Sequence, residues 1–231
     1  MSIDIRVISI GTLGCHPLRG EKQESRPGHA TTTLIRTDDA CILIDPSLPI
    51  DHLTQRLDER AGISPDVVTH VFLTDLRPDR RRGIEVFPDA QWLTGERERD
   101  AYGEAIRMQM HEVPDEPELQ VMLENESRLI ARCAASPDQI CEGVDLFPLP
   151  GVTPGLCGIL LPTARSTVLV CGDALATSEH LEEGQVLPHV HDLEAAQESF
   201  KEAIEIADIL IPGRDNLIPN PMRTMGSGMG F

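Results

Sequence analysis

Eight consecutive residues hold the chain's densest polar chemistry. Asp75, Arg77, Asp79, Arg80, Arg81 and Arg82 set two carboxylates among four guanidiniums, a local charge of +2. Carboxylates so spaced can move protons or hold a hard cation. Guanidiniums stay protonated and bind carboxylate or phosphate through paired N–H donors. A further carboxylate, Asp173, closes the apolar run VLVCGD much as Asp75 closes VFLTD. Read locally, Arg80-Arg81-Arg82 is a solvated charge run, and Asp75 caps the turn before Pro78.

Histidines and cysteines add less. His189 and His191 are spaced i, i+2, which on a strand would put both rings on one face, but they follow Pro188 in a loop. His29, in PGHATTTLI, directly precedes a strand. His70 lies inside an apolar strand and reads as a satisfied core histidine. Cys15 and His16 are adjacent in the glycine-containing loop IGTLGCHP, and adjacency alone does not make a nucleophile–base pair. No GxSxG elbow, Walker loop or GxGxxG is present. Cysteines 15, 41, 133, 141, 157 and 171 form no CxxC pair and read as reduced core thiols of a cytoplasmic protein.

These residues are positioned by alternating strands and helices. IDIRVISI and TTTLIRTDDACILID read as strands, the latter turning at Asp38-Asp39, and VVTHVFLT and AQWLT continue the series. A helix over 51–61 has Asp51 as its N-cap and Gly62 as its stop. Two charged helices follow, over 96–111 and 118–134. VDLFPL, GILLPT and STVLVCG are strands, 192–207 is an amphipathic helix, and DILIPG is a last strand. The pattern predicts one domain over 1–219, made of two similar halves as two mixed sheets with helices outside. Periodicity alone leaves a doubly wound single sheet open as well. Residues 220–231 lack periodicity and are expected to be flexible.

Composition narrows the function. The 231 residues include 20 Lys and Arg against 38 Asp and Glu, a net charge of −18. That argues against nucleic acid and against an anionic membrane surface as partner. No run of apolar residues is long enough to span a bilayer, and MSIDIRVISI, with Asp4 and Arg6, does not read as a signal peptide. Aromatic residues are only 3%, so the core must be aliphatic.

Several segments together resemble the metallo-β-lactamase superfamily. LIDPSLP (43–49) is similar to its second-strand motif, and THVFLTDLRPDRRRGIEVFPDAQWL (69–93) to its main metal motif with flanks. PGVTPG (150–155), STVLVCGDAL (166–175) and ILIPGRD (209–215) resemble its remaining motifs. The order and spacing extend over roughly residues 3–219. The resemblance implies a four-layer αββα sandwich of two mixed sheets, with a metal cleft at one edge and hydrolysis of an ester, thioester, lactone or lactam by metal-bound hydroxide.

The matching positions are Asp75, Arg77, Asp79, Arg80, Val152, Asp173 and Arg214. Only Asp79 and Asp173 keep the residue the motifs require; the five histidine positions are all replaced. Arginine has no lone pair to donate to zinc, valine has no donor atom, and three arginines repel a dication. The resemblance therefore implies an Arg–Asp network in place of zinc, in a degenerate hydrolase-like protein whose cleft takes a small anion. Arg77 and Arg80 would face that cleft, with Arg81 and Arg82 on the surface. The alternative is a hydrolase with an oxygen-rich Mg²⁺ or Mn²⁺ site from Asp75, Asp79, Asp173 and His29. A third role is interaction through the helical segment at 96–134.

Overall fold

Aliphatic alternation builds the strands. The computed structural model describes residues 3–224. Its first sheet runs in the order β1 (Asp4–Ser9), β2 (Thr32–Arg36), β3 (Cys41–Ile44), β4 (His70–Leu73), β5 (Gln91–Thr94) and β6 (Ala134–Ala135). The second holds β7 (Gln139–Cys141), β8 (Val144–Pro148), β9 (Cys157–Pro162), β10 (Thr167–Gly172), β11 (Ile209–Pro212) and β12 (Ile218–Pro219), also neighbour to neighbour. Both sheets are mixed: β3–β4 and β10–β11 are parallel pairs, while β1–β2 and β9–β10 are antiparallel.

The period of two sorts side chains into layers. Ile42 and Ile44 of β3 point between the sheets, where they meet Phe72, Ile159, Val168, Val170 and Ile211. Leu43, one residue out of phase, points outward with Leu34, Val71 and Leu73 against Leu53 and Leu57 of α1 (Ile50–Ala61). On the far side, Leu169, Cys171 and Leu210 pack against Ala196, Phe200 and Ala203 of α5 (Leu193–Ile206). The order helix, sheet, sheet, helix is the expected αββα sandwich, and the single doubly wound sheet is excluded.

Between β5 and β6 of the first sheet lie α2 (Glu96–Glu112) and α3 (Pro117–Arg132), which share a small core of Ile106, Leu123 and Ile130. A short helix, α4 (Ser178–Glu183), follows β10. Among the described residues no helix is long and apolar enough to cross a membrane, and all six cysteines are free.

Some boundaries differ from the sequence reading. Helix α1 begins at Ile50 behind Pro49, with no side-chain cap, so Asp51 lies in its first turn instead of capping it. Proline's fixed φ makes it a ready helix entry without a side-chain acceptor. The stop at Gly62 is as expected: φ is +64° and its N–H bonds the carbonyls of Leu57 and Asp58. Asp192 caps α5 by accepting from the Ala195 N–H. Of the expected flexible tail, Pro221–Thr224 forms a helical turn, α6, and 225–231 lie outside the described residues.

Candidate functional site: an ion-pair cluster at the strand ends

Parallel strands gather their C-terminal ends on one edge, where open α/β sheets place ligands. Here each sheet contributes the ends of one of its parallel pairs, β3–β4 in the first and β10–β11 in the second. Asp45 follows β3 and Asp75 lies just beyond β4; Asp173 follows β10 and Arg214 lies just beyond β11. Arg77 and Arg80 come from the loop after Asp75, which makes one 3-10 turn over Pro78–Arg80. The two sheets thus meet through their charged strand ends.

Asp173 is the hub. Its buried carboxylate meets three guanidiniums: Arg214 through Nε (3.0 Å) and Nη2 (2.9 Å), Arg77 through Nη2 (2.7 Å), and Arg80, whose Nη2 lies 2.6 Å from Oδ1 but out of line for a hydrogen bond. Asp75, also fully buried, takes Arg77 in a fork (Nε 2.9 Å, Nη2 2.6 Å) and Arg80 Nε at 2.9 Å. It also accepts the Arg77 backbone N–H at 3.0 Å, so it does cap its turn. Arg214 Nη1 reaches Asp79, the most exposed carboxylate of the set. Gly213 makes room for this: a Cβ there would sit 2.3 Å from Asp173 Oδ1.

The electrostatics follow from burial and pairing. Burial opposes ionisation of Asp173, but Arg214, Arg80 and Arg77 overcome it and hold the carboxyl well below the usual carboxylate range. Asp75 is held low by Arg77 and Arg80 against the same burial. Burial also disfavours charge on Arg77 and Arg80, and their aspartates more than reverse it. The cluster therefore sets three cations, Arg77, Arg80 and Arg214, against three anions, Asp75, Asp79 and Asp173.

Two contributors escaped the sequence reading. Asp45 accepts from Thr74 N (2.9 Å) and Thr74 Oγ1 (2.7 Å) and lies 3.3 Å from Arg80 Nη1. It is the one non-glycine residue at positive φ (+50°) among the described residues. Burial pushes its carboxyl up to about 7, with Arg80 only partly offsetting it and Asp75 adding to it. Glu98, buried in α2, accepts from Leu76 N (3.2 Å), Thr153 Oγ1 (2.7 Å) and Gly155 N (3.1 Å), which ties the loop after β4 to the loop before β9. A fourth carboxylate beside LIDPSLP's turn was visible in the sequence. The Glu98 partners lie 22, 55 and 57 positions away, beyond the reach of spacing.

Other expected positions fall elsewhere. Val152 does not join the cluster; it packs with Leu149, Leu156, Leu175 and Ala196 under α5, an apolar side chain filling an apolar layer. Arg81 is buried, not on the surface as expected, because its Nε reaches the Leu76 carbonyl (2.8 Å) and its Nη2 the Glu126 carboxylate of α3. Arg82 is exposed on the rim of a cleft of about 620 Å³ lined also by Arg77, Asp79, Asp173 and Arg214. His29 binds the Ile10 carbonyl (3.1 Å) and no ion pair links it to the carboxylates. His70 is half-buried at the start of β4, its Nδ1 2.8 Å from Thr69 Oγ1. His189 and His191 are exposed in a loop, and Cys15 faces the Glu21 carbonyl while His16 is buried beside His180, so no dyad forms.

The donor set does not fit a hydrolytic zinc pair. Asp75 and Asp173 are surrounded by guanidiniums, and among the described residues no group of three His, Cys, Asp or Glu side chains could hold a metal ion. A dication would have to displace three fixed positive charges.

No family model and no curated protein matches this sequence. Solved structures do. A Thermotoga maritima protein described as a metallo-β-lactamase superposes with a TM-score of 0.65 at 18% identity, over 95% of this chain and 100% of its own. An AiiA mutant from B. thuringiensis, with N-decanoyl-L-homoserine at its active site, gives 0.64 at 18% identity over 99% and 96%. AidC, a dizinc quorum-quenching lactonase, gives 0.60 at 21% identity over 76% and 67%. Agreement in topology over nearly the whole chain, at identities this low, identifies architecture: the chain has the metallo-β-lactamase fold.

Proposed function

We propose that this chain is a non-hydrolytic, anion-binding form of the fold. The Arg–Asp cluster stands in for the metal, and the cleft above it takes a small carboxylate or phosphate. The observation that carries this is Arg77. It is bound to Asp75 and Asp173 on one side, a third of its side chain stays exposed at the cleft, and no protein acceptor meets its Nη1 among the described residues. A guanidinium fixed by two buried carboxylates and still offering donors is preorganised for an anion. Arg82 adds positive charge to the cleft lining, and Glu24, also in the lining, limits how much anion the cleft accepts.

The oxygen-rich Mg²⁺ or Mn²⁺ site has less support. Asp75 and Asp173 would have to leave their arginines, and His29 is held by a backbone carbonyl. The test is metal analysis of protein purified without chelator, paired with a thermal-shift screen of phosphate and citrate on wild type and Arg77→Gln. Expected are no stoichiometric metal and a stabilisation by one of the anions that the variant lacks. A tightly bound metal per chain, or Mn²⁺-dependent esterase activity that chelator abolishes, would overturn the reading.

A further inference from the structure

A cavity larger than the central cleft lies elsewhere on the molecule. It is a groove of about 850 Å³ on the outer face of the first sheet, between α3 and the segment that follows β4. Arg82, Arg128 and Arg132 line its walls, with Trp92 and Leu129 at its base. Its volume lies in the range of small-molecule sites.

The charges in the groove are not balanced. Glu126 is already paired by the buried Arg81, which leaves Glu85 as its one unpaired carboxylate. Against it stand three exposed guanidiniums. Arg82 meets no acceptor among the described residues. Arg128, three-quarters exposed, makes only long contacts to Asn125 (3.1 Å) and Glu124 (3.4 Å), worth little in water. Arg132 is fixed: its guanidinium stacks 3.6 Å over the Trp92 ring and it donates to the Pro88 carbonyl. A patch of this sign on a chain of net charge −18 runs against the whole molecule's field, so the local arrangement, not the overall charge, must attract the ligand.

We propose that this groove is a second anion site, adjoining the central cleft at Pro78 and Arg82 but built on Arg128 and Arg132, for a compact multivalent oxyanion such as a diphosphate or a tricarboxylate. Planar guanidiniums on two sides suit the paired oxygens of either head group. A single monovalent carboxylate would leave two of the three cations unanswered. The groove takes small solutes; nucleic acid, which tracks a long basic face, would meet the acidic remainder of the surface.

The chain has one tryptophan, and it lines this groove and not the central cleft, so its emission is a local probe of this site. The experiment is a titration of the full chain with inorganic pyrophosphate and, separately, with citrate, followed by Trp92 emission, with sodium chloride at matched ionic strength as the blank. We expect a saturable change with at least one of the two, the tighter one naming the head group. Arg128→Glu, at an exposed position whose hydrogen bonds stay within α3, should weaken that binding about tenfold or more, the loss of one charge-assisted contact together with a new repulsion. Arg132→Lys gives the second measurement, because a point charge cannot keep the flat stack on Trp92. The thermal shift assigned to Arg77 should survive Arg128→Glu, which separates this proposal from the central-cleft reading. No emission change with either anion, a change that sodium chloride reproduces, or one that Arg128→Glu leaves intact would each overturn it.

Discussion

The segment Asp75–Arg82 feeds two regions that treat arginine in opposite ways. Inward, Arg77 and Arg80 are closed around Asp75 and Asp173, in a cluster that is buried except at Arg77 and Asp79. Outward, Arg82 joins Arg128 and Arg132 in an open groove with a single unpaired carboxylate. Where every cation has an anion and the pairs are buried, the arrangement holds the two sheets together at their strand ends, and only Arg77, a third exposed, keeps donors turned to the cleft. Where cations outnumber anions and water is present, charge remains available to a ligand. The difference is one of burial and balance, not of residue type, and each side of it can be broken separately.

The largest effect belongs to the hub. Asp173→Ala would leave Arg77, Arg80 and Arg214 without their shared carboxylate, and an uncompensated buried charge costs about 3–5 kcal/mol. Urea unfolding at neutral pH measures it. A loss below about 1 kcal/mol would mean the cluster is solvated and the comparison with the groove fails. Linkage gives the pH sign. The Asp173 and Asp75 carboxyls are lowered in the fold, so their contribution is present above about pH 4 and is lost as pH falls towards their folded values.

Arg81 is the link between the regions, and it should show an intermediate effect. Buried between the Leu76 carbonyl and Glu126, with Tyr102 OH at 3.5 Å, it ties the site loop to α3. Arg81→Ala is expected to cost about 2 kcal/mol, in the range for hydrogen bonds to a charged group. Because it also frees Glu126 in the groove, it should weaken oxyanion binding there. Faster amide exchange in α3 than in α1 would locate the loss.

How much of this was legible in the sequence depends on range. The strands and the helix stop at Gly62 were local, and the sequence showed them. The cluster members Asp75, Arg77, Asp79, Arg80, Asp173 and Arg214 became legible only because five motifs occurred in a known order; nothing local distinguishes Arg80 from Arg81. The two arginines part because Arg80 meets Asp173, 93 positions on, while Arg81 meets Glu126, 45 positions on. Val152 was misplaced for the opposite reason. Its motif position implied a cleft, but an aliphatic side chain goes where apolar area is buried, under α5. The short elements β6, β7 and α4 have too few residues for any period to show.

Asp45 tests whether charge balance governs the inner cluster. Three cations already face three anions there, and burial pushes this fourth carboxyl up to about 7. Its folded value is raised, so the sign is opposite to that of Asp173: its contribution is complete below about pH 4 and is lost as pH rises through 7. Asp45→Asn, which mimics the protonated form and keeps an oxygen for Thr74, should change stability at pH 6 by less than about 1 kcal/mol. It should also remove the part of the wild type's decline between about pH 4 and pH 7 that this carboxyl causes. Asp75→Asn at the same pH should cost several times more. Equal losses for the two would show that Asp45 is ionised and that the cluster carries a net negative charge.

The smallest effect is expected in the outer groove and is the control for all the others. Arg128→Gln removes a side chain that is three-quarters exposed and bound only at 3.1–3.4 Å, so unfolding should shift by no more than about 0.5 kcal/mol. That near-silence is informative because it is conditional. If the groove is a site, the same variant should remain silent without ligand and lose the stabilisation that saturating pyrophosphate or citrate confers on the wild type, since a ligand stabilises only the form that binds it. A variant that unfolds early with no ligand present would place Arg128 among the structural arginines and erase the distinction between the two regions.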